Sequence, residues 1–223
     1  MPIEFIKSLA SEFILHRNQE IAIAQKQYMK NKFEFYGIKS PLRRELQKPF
    51  LIVKYLPNKS DLDSIVKELW LRPERELQYF TQELVKKYTK QFEKKDIELL
   101  EFMIVNKSWW DTIDFIAVNL VGAYFKKYPE QVEIYVKKWL KSGNIWLQRS
   151  AILFQLKYKQ ELDTELLVRI INNLLGSKEF FINKSIGWVL REYGKTNPVW
   201  VKEFVQKTAL SKLSRREAIR LLK

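Results

Sequence analysis

Self-similarity at a spacing near 35 residues constrains this chain more than any single motif. Tyr88, Tyr124, Tyr158 and Tyr193 recur at intervals of 36, 34 and 35 residues. Each closes a stretch whose apolar residues fall three and four apart, the period of a helix buried on one side. Trp110, Trp146 and Phe181 run in parallel at 36 and 35, near the starts of such stretches, and Leu77-Gln78 recurs as Leu147-Gln148 at an offset of 70. A unit of this length holds two helices and cannot bury its apolar face alone, so neighbouring units must stack. The expected fold is all-α: an α-solenoid with a concave face, forming one domain over residues 1–223 without a linker. The period lies near those of TPR and HEAT-type units, although neither signature is cleanly present.

Local punctuation agrees with helices. Glycine (6) and proline (7) are scarce, and no Asn-Gly or Asp-Gly pair marks a hairpin. Ser40-Pro41 and Asn197-Pro198 read as N-cap followed by first helical residue. Ser108 and Asp163 read as caps of the helices that follow them, and Ser214-Arg215-Arg216-Glu217 has the form of a capping box. Gly143, Gly176 and Gly194 occupy positions suited to left-handed C-terminal caps.

Composition removes whole classes of chemistry. There is no cysteine, which excludes disulfides, thiolate metal sites and cysteine nucleophiles. The single histidine, His16, is expected at the end of the first helix. A Ser-His-Asp triad would depend on it entirely, and a zinc site would need carboxylates almost alone. Any catalysis is therefore expected from Asp, Glu, Lys, Arg, Tyr or Ser. Forty Lys and Arg oppose 26 Asp and Glu, a formal charge of +14 with pI near 9.7. Such a field favours polyanions, above all a phosphate backbone that releases counterions on binding. Because the basic residues are spread along the chain, an extended groove is a better expectation than a membrane anchor. No apolar run is long enough to cross a membrane. The segment Met1-Pro2-Ile3-Glu4-Phe5 lacks the form of a secretory leader, so a cytoplasmic protein is expected.

The residues able to carry chemistry lie in three of the repeats. After Ser108, positions 109, 113, 116 and 120 (Trp, Ile, Ile, Leu) form a core stripe. The adjacent stripe is Trp110, Asp114, Ala117 and Val121. A carboxylate at the edge of an apolar face is costly unless paired or needed, so Asp114 is either a structural ion-pair partner or a functional group. Stacking in register aligns position 114 with Ser150, which brings Arg149 onto the same surface; Arg149 could neutralise Asp114 or hold a phosphate bidentately. The next repeat offers Phe180-Phe181, Lys184, Ser185 and Trp188. Single tryptophans usually serve packing. As a set, Trp110, Asp114 and Trp188 describe a cage for a cation, or for a sugar that becomes positive in its transition state. Purines alkylated at N3 or N7 are already cationic, so their departure needs no general acid. The enzyme has only to stabilise an oxocarbenium-like sugar and position water, which one carboxylate can do.

The same residues carry a resemblance. The blocks Lys107-Ser108-Trp109-Trp110-Asp111-Thr112-Ile113-Asp114, Asn144-Ile145-Trp146-Leu147-Gln148-Arg149-Ser150-Ala151 and the run from Lys178 to Tyr193 closely resemble the AlkD-type alkylpurine DNA glycosylases of bacteria. The likeness extends from Tyr28-Met29-Lys30-Asn31 to Ser214-Arg215-Arg216-Glu217-Ala218-Ile219. It implies HEAT-like repeats presenting a concave basic groove to duplex DNA, and excision of N3- and N7-alkylated purines without metal or cofactor. It also implies action on a lesion that stays stacked, so that no deep base pocket is expected; a monomer is expected because nothing in the sequence demands a dimer. Carried over by position, Asp114 is the catalytic carboxylate, Trp110 and Trp188 flank the deoxyribose, and Arg149 lies close to the backbone at the lesion. Tyr28, Lys157, Phe180 and Phe181 are lesser candidates for the DNA-facing surface.

Other readings stand beside this one. A non-catalytic structure-specific DNA binder could use the same groove, and some relatives of this kind lack the acid and the tryptophans. A lysine-based lyase is open to a lysine-rich chain, but no one lysine stands out. Protein-interaction scaffolds are a common use of solenoids, against which the charge and the tryptophans around Asp114 both count.

Overall fold

A computed structural model describes residues 2–222. They form helices joined by short turns and 3-10 segments, and the only extended pairing among them is an isolated bridge between Glu34 and Glu74. None of the described helices is long and apolar enough to cross a membrane. The chain divides into two compact units, one ending at Glu93 and one beginning at Lys94.

The first unit contains α1 (Pro2–Leu15), α2 (Gln19–Tyr28), α3 (Ser40–Gln47), α4 (Leu62–Leu71) and α5 (Arg75–Lys87). Ile6, Leu9 and Phe13 of α1 are buried with Ile65, Val66, Leu69 and Trp70 of α4 and Leu77, Phe80 and Leu84 of α5. These spacings of three and four are the stripes read from sequence, and each such side chain contributes about 1.5–3 kcal/mol by leaving water. A buried polar anchor accompanies them. The Glu76 carboxylate accepts the backbone N–H groups of Tyr36, Gly37 and Ile38 at 3.0–3.1 Å.

The second unit contains α6 (Asp96–Val105), α7 (Trp110–Phe115), a π-helical segment (Ile116–Val121) continuing directly into α8 (Gly122–Lys127), α9 (Val132–Lys141), α10 (Ile145–Leu153), α11 (Thr164–Leu174), α12 (Phe180–Tyr193), α13 (Pro198–Lys207) and α14 (Lys212–Ile219). Its packing is a row. Helix α7 with its π segment packs on α10, α10 on α12, and α12 on α14. Helices α9, α11 and α13 lie against this row, α9 and α11 contacting α10 and α13 contacting α12 and α14.

The repeat period is visible in the polar ties between units of the stack. Arg149 reaches Asp114, Lys126 reaches Glu161, Arg169 reaches Glu133, and Lys157 reaches Asn119 across 35 to 38 residues. The tyrosine series has a shared task. Tyr88, Tyr124 and Tyr158 donate their hydroxyls to the backbone carbonyls of Pro57, Lys94 and Gly122, each 30 to 36 residues upstream. Burial raises all three phenols above their usual range, Tyr88 to about 12, so they remain donors.

Several cap readings hold. Asn197 and Asp163 accept the N–H groups of Trp200 and Leu166. Gly143 and Gly176 are left-handed, at φ +68° and +82°. His16 stands just after α1 with its Nδ1 2.9 Å from the Glu12 carbonyl.

Others are corrected. Ser40 is already helical, and Lys39 is the extended residue before α3. Gly194 has φ −59° and does not make a left-handed cap. Ser108 turns back to the Ile104 carbonyl at 2.6 Å, leaving Trp109 as the extended residue ahead of α7. The capping box at 214–217 is also absent. Ser211 caps α14, Ser214 lies inside the helix, and Glu217 faces α12.

Candidate active site

One helix from each of three consecutive repeats supplies the site. Asn144 caps α10 by accepting the N–H groups of Trp146 and Leu147 at 2.9 and 3.3 Å, which fixes where that helix begins and hence where Arg149 points. Arg149 is 3% exposed. Its Nε and one terminal nitrogen donate to the two oxygens of Asp114 at 2.7 and 2.9 Å, and its other terminal nitrogen donates to the Phe181 carbonyl at 2.5 Å. This one guanidinium therefore ties α7, α10 and α12 together. Of the two roles left open by sequence, the geometry displays the pairing with Asp114: two N–H groups of Arg149 meet the carboxylate side by side.

Asp114 is mostly enclosed, with 19% of its side chain exposed. Burial pushes its carboxyl above the ordinary aspartate range, Arg149 pulls it back, and nearby Asp111 adds a smaller upward push. Holding a buried pair like this is costly in isolation, and removing one partner costs about 3–5 kcal/mol because the other charge is then stranded.

Trp110, Asp114, Arg149, Phe180, Phe181 and Trp188 line a single cavity of about 270 Å³. Six of the eight site residues expected from sequence thus come together. The cavity has two further cationic lining residues, Lys184 and Arg191. The two remaining candidates lie elsewhere. Tyr28 belongs to the first unit, at the end of α2, and is 73% exposed. Lys157 donates to Asn119 at 3.1 Å and lines a separate cavity with Lys159, Glu192 and Lys195.

The aromatic alignment needs one correction. The spacing series joins Trp110 to Trp146 and Phe181, but the rings that meet are Trp109, Trp146 and Phe181, with centroids 5.0–5.6 Å apart. Trp109 thus packs between repeats, and its neighbour Trp110 is released to the cavity. Advancing one residue on a helix turns the side chain by roughly 100°, so two adjacent tryptophans serve two surfaces.

Sequence reasoning placed Lys184 on the helix of Trp188 without giving it a role at the site, and missed Arg191 and the Glu217 that meets both cations. The signal was available in part: positions 184, 188 and 191 share a helix face, so the two cations had to accompany Trp188.

Among the described residues no group of three or more His, Asp or Glu side chains is placed to hold a metal ion. Chemically, the cavity offers one carboxylate fixed in orientation, two indoles and an excess of cationic side chains. It suits a substrate that is anionic along its backbone and positive at the reacting centre.

A family model described as DNA alkylation repair enzyme matches residues 9–222. The solved structure of a predicted DNA alkylation repair enzyme from Enterococcus faecalis superposes with a TM-score of 0.86 at 31% sequence identity, covering 92% of this chain and 96% of that one. No curated protein matches the chain.

Proposed function

Because this chain belongs to the DNA alkylation repair enzyme family, we propose that it is a monofunctional DNA glycosylase acting on N3- and N7-alkylated purines in duplex DNA. The observation that carries this reading is the meeting of Trp110, Asp114 and Trp188 in one cavity, with Asp114 held by both oxygens on Arg149.

The chemistry follows from those groups. An alkylated purine leaves as a neutral base once its glycosidic bond breaks, so no proton need be delivered to it. Positive charge then moves to the deoxyribose. Asp114, oriented in advance and partly shielded from water, stabilises that charge without reorganising, and its carboxylate can also orient the attacking water. The indoles of Trp110 and Trp188 add their electron-rich faces to the same cation. Arg149 keeps the carboxylate in place. Phe180, 57% exposed at the start of α12, belongs with Phe181 and Lys157 to the DNA-facing surface of the second unit in this reading, Tyr28 contacts DNA from the first unit, and the lesion stays stacked in the duplex.

Incubating the protein with methylated duplex DNA and identifying what is released by chromatography tests the proposal. Free N3-methyladenine or N7-methylguanine, with abasic sites left in the strand, is the expected result. Salt-sensitive binding with no free base would instead indicate a DNA-binding protein that does not excise.

A further inference from the structure

Behind Trp188 lies a carboxylate that the proposed chemistry does not use. Glu217 of α14 is 5% exposed. One of its oxygens meets the Lys184 ammonium at 2.7 Å and the other meets Arg191 at 2.5 Å. Lys184 and Arg191 stand on α12 one turn either side of Trp188, and both line the cavity that holds Asp114.

The placement of Glu217 depends on a close helix crossing. A Cβ at Gly187 would come within 2.4 Å of the Glu217 Cβ and 2.8 Å of the Ser214 carbonyl, so only glycine lets α14 approach this near. The Ser214 hydroxyl donates to the Asn183 carbonyl at 2.8 Å and fastens the same crossing.

Charge around the cavity does not cancel. Arg149 neutralises Asp114, and Glu217 can neutralise only one of Lys184 and Arg191. Arg220 approaches Glu217 as well, at 3.9 Å. A surplus of positive charge therefore faces the cavity, next to the expected deoxyribose site. Glu217 occupies one N–H group on each cation, out of the three of a lysine and the five of an arginine. Lys184 keeps 37% of its side chain in solvent.

We propose that Glu217 is a positioning residue, which holds Lys184 and Arg191 astride Trp188 so that their remaining N–H groups bind a backbone phosphodiester of the lesion strand. The inference rests on the glycosylase reading for the identity of that strand. Glu217 itself touches no substrate; it acts through the two cations. A sugar without its base is free to let its phosphodiester approach the two cations more closely, so an abasic site should be favoured over intact duplex.

The test measures binding to a short duplex carrying a tetrahydrofuran abasic analogue and to the same duplex undamaged, without requiring excision. Glu217→Gln removes a negative charge, so affinity for undamaged duplex should hold or rise. Preference for the abasic analogue should fall about tenfold, the effect of a charge-assisted hydrogen bond lost or misaligned. In a Lys184→Met/Arg191→Met background the Glu217→Gln change should then have no further effect on that preference. Lys184→Met alone, which leaves the Arg191–Glu217 pair intact, guards against misfolding of the Glu217 variant. It should lose a similar preference and lower the salt slope of binding by about 0.9.

A lowered Tm with unchanged preference would reduce Glu217 to a staple between α12 and α14 and overturn the proposal. So would a Glu217→Gln effect that persists without the two cations, or a wild type that shows no preference at all. Wild type that prefers the abasic analogue yet releases no base would sink the glycosylase reading while leaving the phosphate site standing.

Discussion

Asp114 is pulled in two directions, and the balance has a measurable consequence. Burial raises its pKa and the Arg149 guanidinium opposes the rise, with burial the larger influence. In the proposed mechanism the carboxylate must be ionised. Excision by wild type should therefore decline on the acid side at a pH above that of an ordinary aspartate, whose pKa is about 3.9. A single-turnover pH profile measures this, and an acid limb at or below the ordinary value would contradict it. The linkage sign is consistent. A carboxyl whose folded pKa is raised contributes stability that is present below its unfolded pKa and lost as pH rises through the folded value. At neutral pH the ionised group is a cost to folding, which the bidentate contact to Arg149 offsets in part. Sequence pointed to both residues, because a carboxylate on the edge of an apolar stripe and an arginine one repeat later are legible as pattern. It could not show whether Arg149 served Asp114 or a ligand, since that depends on a contact between helices 35 residues apart.

At the scale of elements, the site is set by helix crossings and by local departures from regularity. Lys107 adopts a left-handed φ of +50° after α6, a conformation costing about 1–2 kcal/mol for a residue with a Cβ. The extended Trp109 that follows sends the two tryptophans to different surfaces. The π-helical segment Ile116–Val121 lies between Trp110 and Asp114 on one side and the core residues Tyr124 and Phe125 on the other, letting each stretch face its own neighbours within one continuous helix. Neither feature has a sequence signal, because both are imposed by packing. The crossing of α12 and α14 is similar: Ser-x-x-Glu at 214–217 fits a capping box in isolation, and only the approach at Gly187 turns Glu217 inward. Gly187→Ala should overpack this crossing and lower stability by about 1–3 kcal/mol, observable as a lower denaturation midpoint. An unchanged midpoint would mean that α14 can move away freely.

For the molecule as a whole, period and charge were the most legible properties. The tyrosine series tracks the repeat because three of its four phenols, Tyr88, Tyr124 and Tyr158, satisfy their hydroxyls on a carbonyl 30 to 36 residues upstream. The tryptophan series was shifted by one residue at Trp110, because a spacing of 35 or 36 cannot distinguish adjacent positions. The division at Glu93 and Lys94 was not legible, since no change of composition marks it. The net charge of +14 and the cationic cavity agree with a polyanionic partner, and family membership supplies the repair context that charge alone cannot.

In the proposed mechanism Asp114 acts on the transition state and not on DNA binding. The most direct test of this role compares wild type with Asp114→Asn in single-turnover base release from methylated duplex, below the variant's Tm and with affinity for abasic duplex measured in parallel. Excision should slow by at least about tenfold, roughly 1.4 kcal/mol of lost transition-state stabilisation, with affinity nearly intact. Equal rates for the two proteins would contradict that role.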